Sequence, residues 1–385
     1  MSVSTNHPFR VAFVTHENYH MPGARVRCYC MAKALAERGA DARVFSFHDE
    51  FGRAYAQMSD TEMMLNSLRA YNRLVKEPAG TILFVQRINY HTLAPFLASR
   101  VRGFPLVLDC DDWDFDAPIY HTLRQLPGFD AHTWLDRVGR TAAACVASSH
   151  ALKDVLEKLN GHVEYLPTGV DTVRFHPPTA EEDAAARSRL VTVSWIGTVF
   201  RRDNVLALQF AIRVFAEVFR RWPHCRLEIA STGFMIEEIK RQVADRYPHV
   251  DITFVPWMAP DEVPGYLRRI DVGLLPLIPA NRFNQSKSPT KLFEYMACRL
   301  ATISSRVGEA AHVVRDGIDG FLADDEAGFV EALLTLVRDD GRRRAMGEAA
   351  RKRVEKRFSH ELMADQLYNW LYDISGRGAH PKNRG

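Results

Sequence analysis

The chain opens twice in the same way, and that recurrence limits what it can fold into. RVAFVT, Arg10 to Thr15, is a short apolar run of strand character that ends in the polar loop HENYHMPGAR. From Arg25 the apolar positions Val26, Tyr29, Met31, Ala32, Leu35 and Ala36 keep helical spacing up to Gly39, and ARVFSF follows as a second strand. The second half repeats the order with VTVSWIG, Val191 to Gly197, the loop TVFRRDN, an apolar helix from Val205 to Trp222 and the strand CRLEIA. Strand, loop, helix, strand units build parallel sheets, and ligands sit beyond the carboxyl ends of the strands. Two such beginnings in 385 residues, a length too great for one ordinary core, predict an α/β chain of two Rossmann-like domains.

The run from Val146 to Pro178 reads strand, helix capped by Ser148 or Ser149, strand and a Gly-Val-Asp turn. The acidic, alanine-rich TAEEDAAARSR after it reads as a linker or an exposed helix start. The boundary is therefore expected near Pro177, with a first domain over 1–177 and a second over 178–357. A last helix over 358–374 carries Leu362, Met363, Leu367, Trp370 and Leu371 on one side, and the basic stretch 375–385 reads as a disordered tail.

Composition narrows the function classes. A formal charge of +3 and a sequence pI near 8.5 do not call for nucleic acid, and leave a modest attraction to anionic lipid. Cys28, Cys30, Cys110, Cys145, Cys225 and Cys298 are scattered without CxxC or zinc-type spacing, as in a reduced, cytoplasmic protein without a structural metal. MSVSTNHPFR has no apolar leader core and no apolar run reaches the roughly 18–20 residues of a membrane span. A soluble chain, at most peripheral to a membrane, is expected.

Three stretches bear chemistry. In SPTKLFEYMA, Ser288 to Ala297, Ser288 suits a helix N-cap, Pro289 the first helical position, and Leu292, Phe293 and Met296 a buried face. Lys287 and Lys291 straddle that start, which makes it an anion site. A helix end contributes about 0.3–2 kcal/mol towards a bound anion, so a diphosphate also needs the lysines. Glu294, one turn in, suits sugar hydroxyls better than phosphate. A capped core helix with solvated lysines accounts for the same spacing. In the first half, Pro22-Gly23 makes a plain turn or lets backbone approach a ligand, with Arg25 and Arg27 close by, solvated or holding an anion. In PLVLDCDDWDFD, a strand ending at Leu108 discharges Asp109, Asp111, Asp112, Asp114 and Asp116 at the sheet's carboxyl edge. Crowded carboxylates raise one another's pKa unless a cation stands beside them. A divalent metal, one catalytic or orienting carboxylate, and a capping cluster all fit.

SPTKLFEYMA followed by CRLATISSRVGEAAHVVRDGIDGFLADD, Cys298 to Asp325, resembles the donor-nucleotide end of the retaining glycosyltransferases of family 4, of the group 1 type. The resemblance covers most of the chain and is strongest from about Asp271. It implies the GT-B fold, two Rossmann-like domains facing across a cleft, with the final helix crossing back to the first domain. Members carry two glutamates with seven residues between them. Glu294 matches the second, which implies a ribose contact, whereas the position of the first, the sugar reader, is Ser286. The resemblance further implies donor contacts from Gly23, Gly197, Arg202, Trp257, Ser286, Lys287, Ser288, Thr290 and Gly308, with Glu309 and Ala310 alongside. Arg201 and Lys291 are implied as catalytic, steadying the departing diphosphate, although the family's arginine-then-lysine spacing after Gly197 is not kept. Asp111 stands nearest to the family's histidine at the end of its strand and is the third catalytic candidate.

The implied reaction moves a hexosyl group from a UDP- or GDP-sugar to an acceptor hydroxyl, with the nucleotide sugar as co-substrate and no further cofactor or metal. The acceptor is open among a lipid carrier, a polysaccharide end and a small molecule. Two other classes stay open: a GT-B sugar-nucleotide epimerase, which needs no acceptor, and a noncatalytic nucleotide-sugar binder, which the serine at 286 favours.

Overall fold

The computed structural model describes residues 8–54, 57–113, 115–116, 128, 130–182 and 190–378. Asp114, most of the linker stretch and residues 379–385 of the expected tail lie outside them. The chain divides into two compact units. The first comprises Met1–Thr168, Ser286–Ser288 and Glu361–Gly385, and the second Gly169–Gln285 and Pro289–His360.

In the first unit the strands β1 (Arg10–Thr15), β2 (Asp41–Ser46), β3 (Ile82–Gln86), β4 (Leu106–Cys110), β5 (Ala144–Ala147) and β6 (Val163–Tyr165) form one parallel sheet in the order β2-β1-β3-β4-β5-β6. β3 and β4 are buried at every residue, as strands covered on both faces must be, which is why they read as unbroken apolar runs. Helices α1 (Met31–Glu37), α2 (Asp60–Leu74) and α3 (Leu93–Arg102) make crossovers. A π-helical turn, Arg25–Cys30, leads into α1. The strand order reverses between β1 and β3, and the loops leaving those two strands flank the crevice where ligands of such sheets bind.

The second unit repeats the plan with another order. Strands β7 (Val191–Thr198), β8 (Cys225–Thr232), β9 (Ile252–Val255), β10 (Val272–Leu275), β11 (Ala301–Ser305) and β12 (Phe321–Ala323) run parallel as β12-β11-β10-β7-β8-β9. Its switch point lies between β7 and β10. Helix α4 (Arg202–Arg221) follows β7, a short helix α5 (Arg282–Ser286) and α6 (Thr290–Ala297) follow β10, and α7 (Ala310–Val313) follows β11. Leu208 and Phe215 of α4 pack one face of the sheet, and Leu292, Phe293 and Met296 of α6 pack the other.

The last helix, α8 (His360–Gly378), runs past residue 374 and packs in the first unit, where Met363, Leu367 and Leu371 join the core with Phe9, Val11 and Phe13. The units part after Thr168 rather than at Pro177. Residues 170–175 are fastened to the second unit, because Val170 N–H donates to the Phe358 carbonyl at 2.9 Å and Arg351 donates to the Phe175 and Thr172 carbonyls at 2.6 and 3.0 Å. Phe175 is part of the second core.

Candidate functional site

At the switch point of the second unit, three loops come together. Arg201, the residue before α4, lays its guanidinium 4.1 Å from the centroid of the Phe283 ring in α5, and approaches Asp203 at 3.8 Å. Asp203 accepts from Asn281 Nδ2 at 3.2 Å, so the loops after β7 and β10 are joined by two contacts. The third loop follows β11. Gly308 has φ 53°, and a Cβ there would stand 2.3 Å from the Gln285 carbonyl oxygen, so only glycine seats this loop against the end of α5.

Helix α6 is set down on the sheet by another glycine. A Cβ on Gly273 of β10 would fall 2.4 Å from the Tyr295 ring, and Tyr295 OH accepts from Ile196 N–H of β7 at 3.3 Å. With Leu292, Phe293, Tyr295 and Met296 turned inward, Lys291 and Glu294 lie on the part-exposed side of α6. Thr290 and Lys287 are also part-exposed, and Arg201 and Arg202 are exposed. Arg201, Arg202, Lys291, Glu294 and Gly308 thus lie on the loops and helix starts that follow β7, β10 and β11.

Several expected residues have other tasks. Ser288 does not cap α6. The cap position is Pro289, without a side-chain cap, and Ser288 Oγ instead accepts from Thr168 N–H at 3.1 Å. The stretch before it is the short helix α5 rather than a loop. Ser286 is buried, and its carbonyl accepts from Ser149 Oγ at 2.7 Å. Gly197 makes room for Trp195, whose ring would lie 2.5 Å from a Cβ there, so packing explains that glycine. Trp257 is half exposed after β9, the edge strand, two strand spacings or roughly 10 Å from β7.

The first unit gathers charge at its own switch point. Asp111 accepts from Arg87 Nε and Nη2 at 2.5 and 3.0 Å and from Gln86 Nε2 at 3.1 Å. Burial disfavours this carboxylate, but Arg87, with Arg27 and Gln86, outweighs it and holds its pKa below the usual range. Arg87 reaches Asp112 as well, at 3.1 Å, and Gly23 leaves the space that the Arg87 guanidinium fills, 2.7 Å from where a Cβ would be. Arg27 is buried against Asp109 and donates to the Leu166 carbonyl at 2.6 Å, which makes it structural rather than solvated. His16, next to this network, is driven down to about 3 by burial and then by Arg87, and is neutral.

The Asp run thus has its cations. Asp109 and Asp111 are engaged by arginines, and among the described residues no group of three His, Cys, Asp or Glu is placed to hold a metal ion. Sequence reasoning missed Arg87 and His16. The crowding of carboxylates asked for either a raised pKa or a cation beside them, and nothing local named the residue that would supply the cation. A separate cavity of about 460 Å³ lies at the amino ends of β4, β5 and β6, lined by Gly103, Ala144, His162, Val163, Trp370 and Ile374. That is the edge of the sheet opposite to where ligands of such folds bind.

Residues 191–339 match the family model described as Glycosyl transferases group 1. Over 228 residues the chain is 29% identical to a D-inositol 3-phosphate glycosyltransferase of Corynebacterium jeikeium, covering 56% of this chain and 53% of that one. Over 235 residues it is 28% identical to a GDP-mannose-dependent alpha-(1-6)-phosphatidylinositol monomannoside mannosyltransferase of Mycolicibacterium smegmatis, covering 57% and 60%. The chain therefore spans little more than half the length of these relatives. Among solved structures, Anabaena HepE in complex with UDP aligns with a TM-score of 0.68 at 13% identity over 95% of this chain and 100% of that one. Sucrose-phosphate synthase of Thermosynechococcus elongatus aligns with a TM-score of 0.72 at 16% identity over 95% and 99%. At these identities the likeness is one of fold, two six-stranded Rossmann-like halves of the GT-B type.

Proposed function

We propose, on the match of residues 191–339 to the group 1 glycosyl transferases, that this chain transfers a hexosyl group from a nucleoside-diphosphate sugar to an acceptor hydroxyl, with retention at the anomeric carbon. The observation that supports the reading is the meeting of the loops after β7, β10 and β11 at the second unit's switch point, where Arg201 lies over Phe283 and Gly308 fits against Gln285. As the bond between the sugar and the diphosphate breaks, negative charge builds on the departing phosphate. Cations already held in place stabilise that charge without reorganising.

In this reading Arg201, Arg202, Lys287 and Lys291 hold the diphosphate, and Glu294 accepts from ribose hydroxyls. Phe283 supports the proposal for Arg201 in particular, because stacking holds the guanidinium plane while its edge stays available for bidentate contact with phosphate. With four cations assigned to the diphosphate, the reading asks for no metal ion. Ser286 lacks a carboxylate and its carbonyl is taken, so no sugar-reading role is given to it. Asp111, tied to Arg87, is a poor proton carrier and is assigned to positioning the first unit's loops rather than to proton transfer.

The names of the relatives point to a GDP-linked donor and an inositol- or lipid-type acceptor, the UDP complex of HepE points to a UDP-linked donor, and the proposal adopts both donor classes. Thermal shift with UDP, GDP and their sugars tests it, because a ligand at 100 times its dissociation constant adds about 2.7 kcal/mol of stability. Lys291→Ala and Arg201→Ala are each expected to lower turnover by on the order of a hundredfold or more, about 2.7–4 kcal/mol of transition-state stabilisation. Unchanged donor affinity and turnover in both variants would overturn the assignment. Formation of an epimer from donor alone, with no transfer, would replace it with an epimerase.

A further inference from the structure

We propose that the outer face of α2 and α3 in the first unit is a docking surface for an anionic lipid bilayer. The two helices lie side by side. Helix α2 turns Met63, Asn66, Ser67, Ala70 and Leu74 inward, which leaves Met64, Leu65 and Leu68 on its outer face, with Leu68 57% exposed. Helix α3 adds Leu97 and Val101, one turn apart, with Val101 64% exposed. Large apolar side chains exposed singly are ordinary, whereas five on two adjacent helices make a patch that needs an occupant.

Charge identifies the occupant. Every exposed charged residue from 61 to 102 is a cation, namely Arg69, Arg73, Lys76, Arg100 and Arg102. The acids in that span are turned to other partners. Glu62 closes the cap of α2 with Ser59 and meets Arg53, and Glu77 meets Arg43. Glu50, from outside the span, meets Arg73, so the patch's charge rests mainly on the other four. On α2 the cations follow Met64, Leu65 and Leu68, with Lys76 just past the helix end, and on α3 Arg100 and Arg102 flank Val101. Apolar side chains bordered by arginine and lysine suit a surface with an apolar interior and a layer of phosphates. A protein partner of the same shape would need its own acidic rim, whereas an anionic bilayer supplies both layers at once.

No helix among the described residues is long and apolar enough to cross a membrane, and the contact proposed is with the surface. Both helices begin at the carboxyl edge of the sheet that carries Gly23, Arg87 and Asp111. That the acceptor itself is lipid-borne rests on the transfer reaction proposed above, whereas the docking surface does not.

The test is co-sedimentation of the full chain with phosphatidylcholine vesicles and with vesicles that also contain phosphatidylglycerol, at low and high salt. Binding is expected to the anionic vesicles, to weaken as salt rises, and to be far weaker to the neutral ones. Arg69→Gln with Arg100→Gln should lower partitioning roughly 25-fold, about fivefold for each cation removed. Leu68→Ser with Val101→Ser should lower it at both salt concentrations, and both variants should keep the wild-type melting temperature and its shift with nucleotide. A wild-type chain that stays in solution with anionic vesicles, binds neutral vesicles equally well, or binds as well when so substituted would overturn the proposal. Loss of the nucleotide response with vesicle binding intact would count against the transferase reading alone.

Discussion

Arg87 holds the first unit's charge together from a backbone conformation, φ 65°, that residues with a Cβ seldom adopt. A strain of about 1–2 kcal/mol is tolerable there because the side chain compensates a buried carboxylate. Arg87→Ala leaves Asp111 buried and unpaired and is expected to cost about 3–5 kcal/mol in urea unfolding. Adding Asp111→Asn should recover part of that loss, and strictly additive losses would show that the two are not coupled. His16 gives the network a pH signature. Burial and then Arg87 hold it down to about 3, whereas an unfolded histidine protonates near 6.5. Between those values the unfolded chain binds more protons, so stability falls with falling pH, by up to about 1.4 kcal/mol per unit from this residue. Glu17, pushed up first by burial, acts in the opposite sense just above the ordinary carboxylate range, where the fold keeps a proton that the unfolded chain has lost. His16→Gln should therefore flatten the fall in melting temperature between about pH 7 and about pH 5, and an unchanged slope would place the sensitivity elsewhere.

At the scale of elements, the strands and long helices were legible because apolar runs and three-and-four spacing are local properties. The buried face of α6 was read from Leu292, Phe293 and Met296 alone. Its start was not, because Ser288 answers to the Thr168 N–H, a partner 120 residues away, and leaves the cap to Pro289. Gly197 has a packing reason of its own, since what fills its Cβ space is the tryptophan two residues earlier on the same strand. Gly308 was marked as lying beside the donor, and its fit against Gln285 yields a prediction with a built-in control. Gly317 also has a left-handed conformation, φ 74°, but nothing lies within 4 Å of a Cβ there. Gly317→Ala should cost only the backbone strain, about 1–2 kcal/mol, and leave nucleotide binding intact. Gly308→Ala adds a clash with main chain, which cannot swing aside, and should both destabilise the second unit further and weaken the thermal shift with UDP or GDP. Equal behaviour of the two alanine variants would mean that the loop after β11 does not shape the site.

For the molecule as a whole, the repeated opening foretold two parallel sheets, but not their orders. Nothing local distinguishes a sheet ordered β2-β1-β3 from one ordered β9-β8-β7, because each crossover could lay its strand on either side. The division of the chain was misplaced because Arg351, far along the sequence, fastens residues 172 and 175 to the second unit. The first unit in turn depends on residues from the other end of the chain. Met363, Leu367, Leu371 and Ile374 of α8 are buried in its core, Tyr368 packs on Phe9 with ring centroids 5.1 Å apart, and Arg38 meets Asp365 at 2.7 Å. Each of those four apolar side chains contributes about 1.5–3 kcal/mol on full burial, a sum comparable with the roughly 5–15 kcal/mol that a whole domain has in hand. Deleting residues 361–385 should therefore unfold the first unit outright rather than loosen it. The second unit keeps its own two apolar layers and the Val170 to Phe358 hydrogen bond, and should survive. Limited proteolysis of the truncated chain is expected to leave a resistant fragment beginning near Gly169 that is still stabilised by nucleotide. Persistence of a resistant first-unit fragment would show that α8 adds little to its core, and a second unit lost along with the first would show that the two do not fold independently.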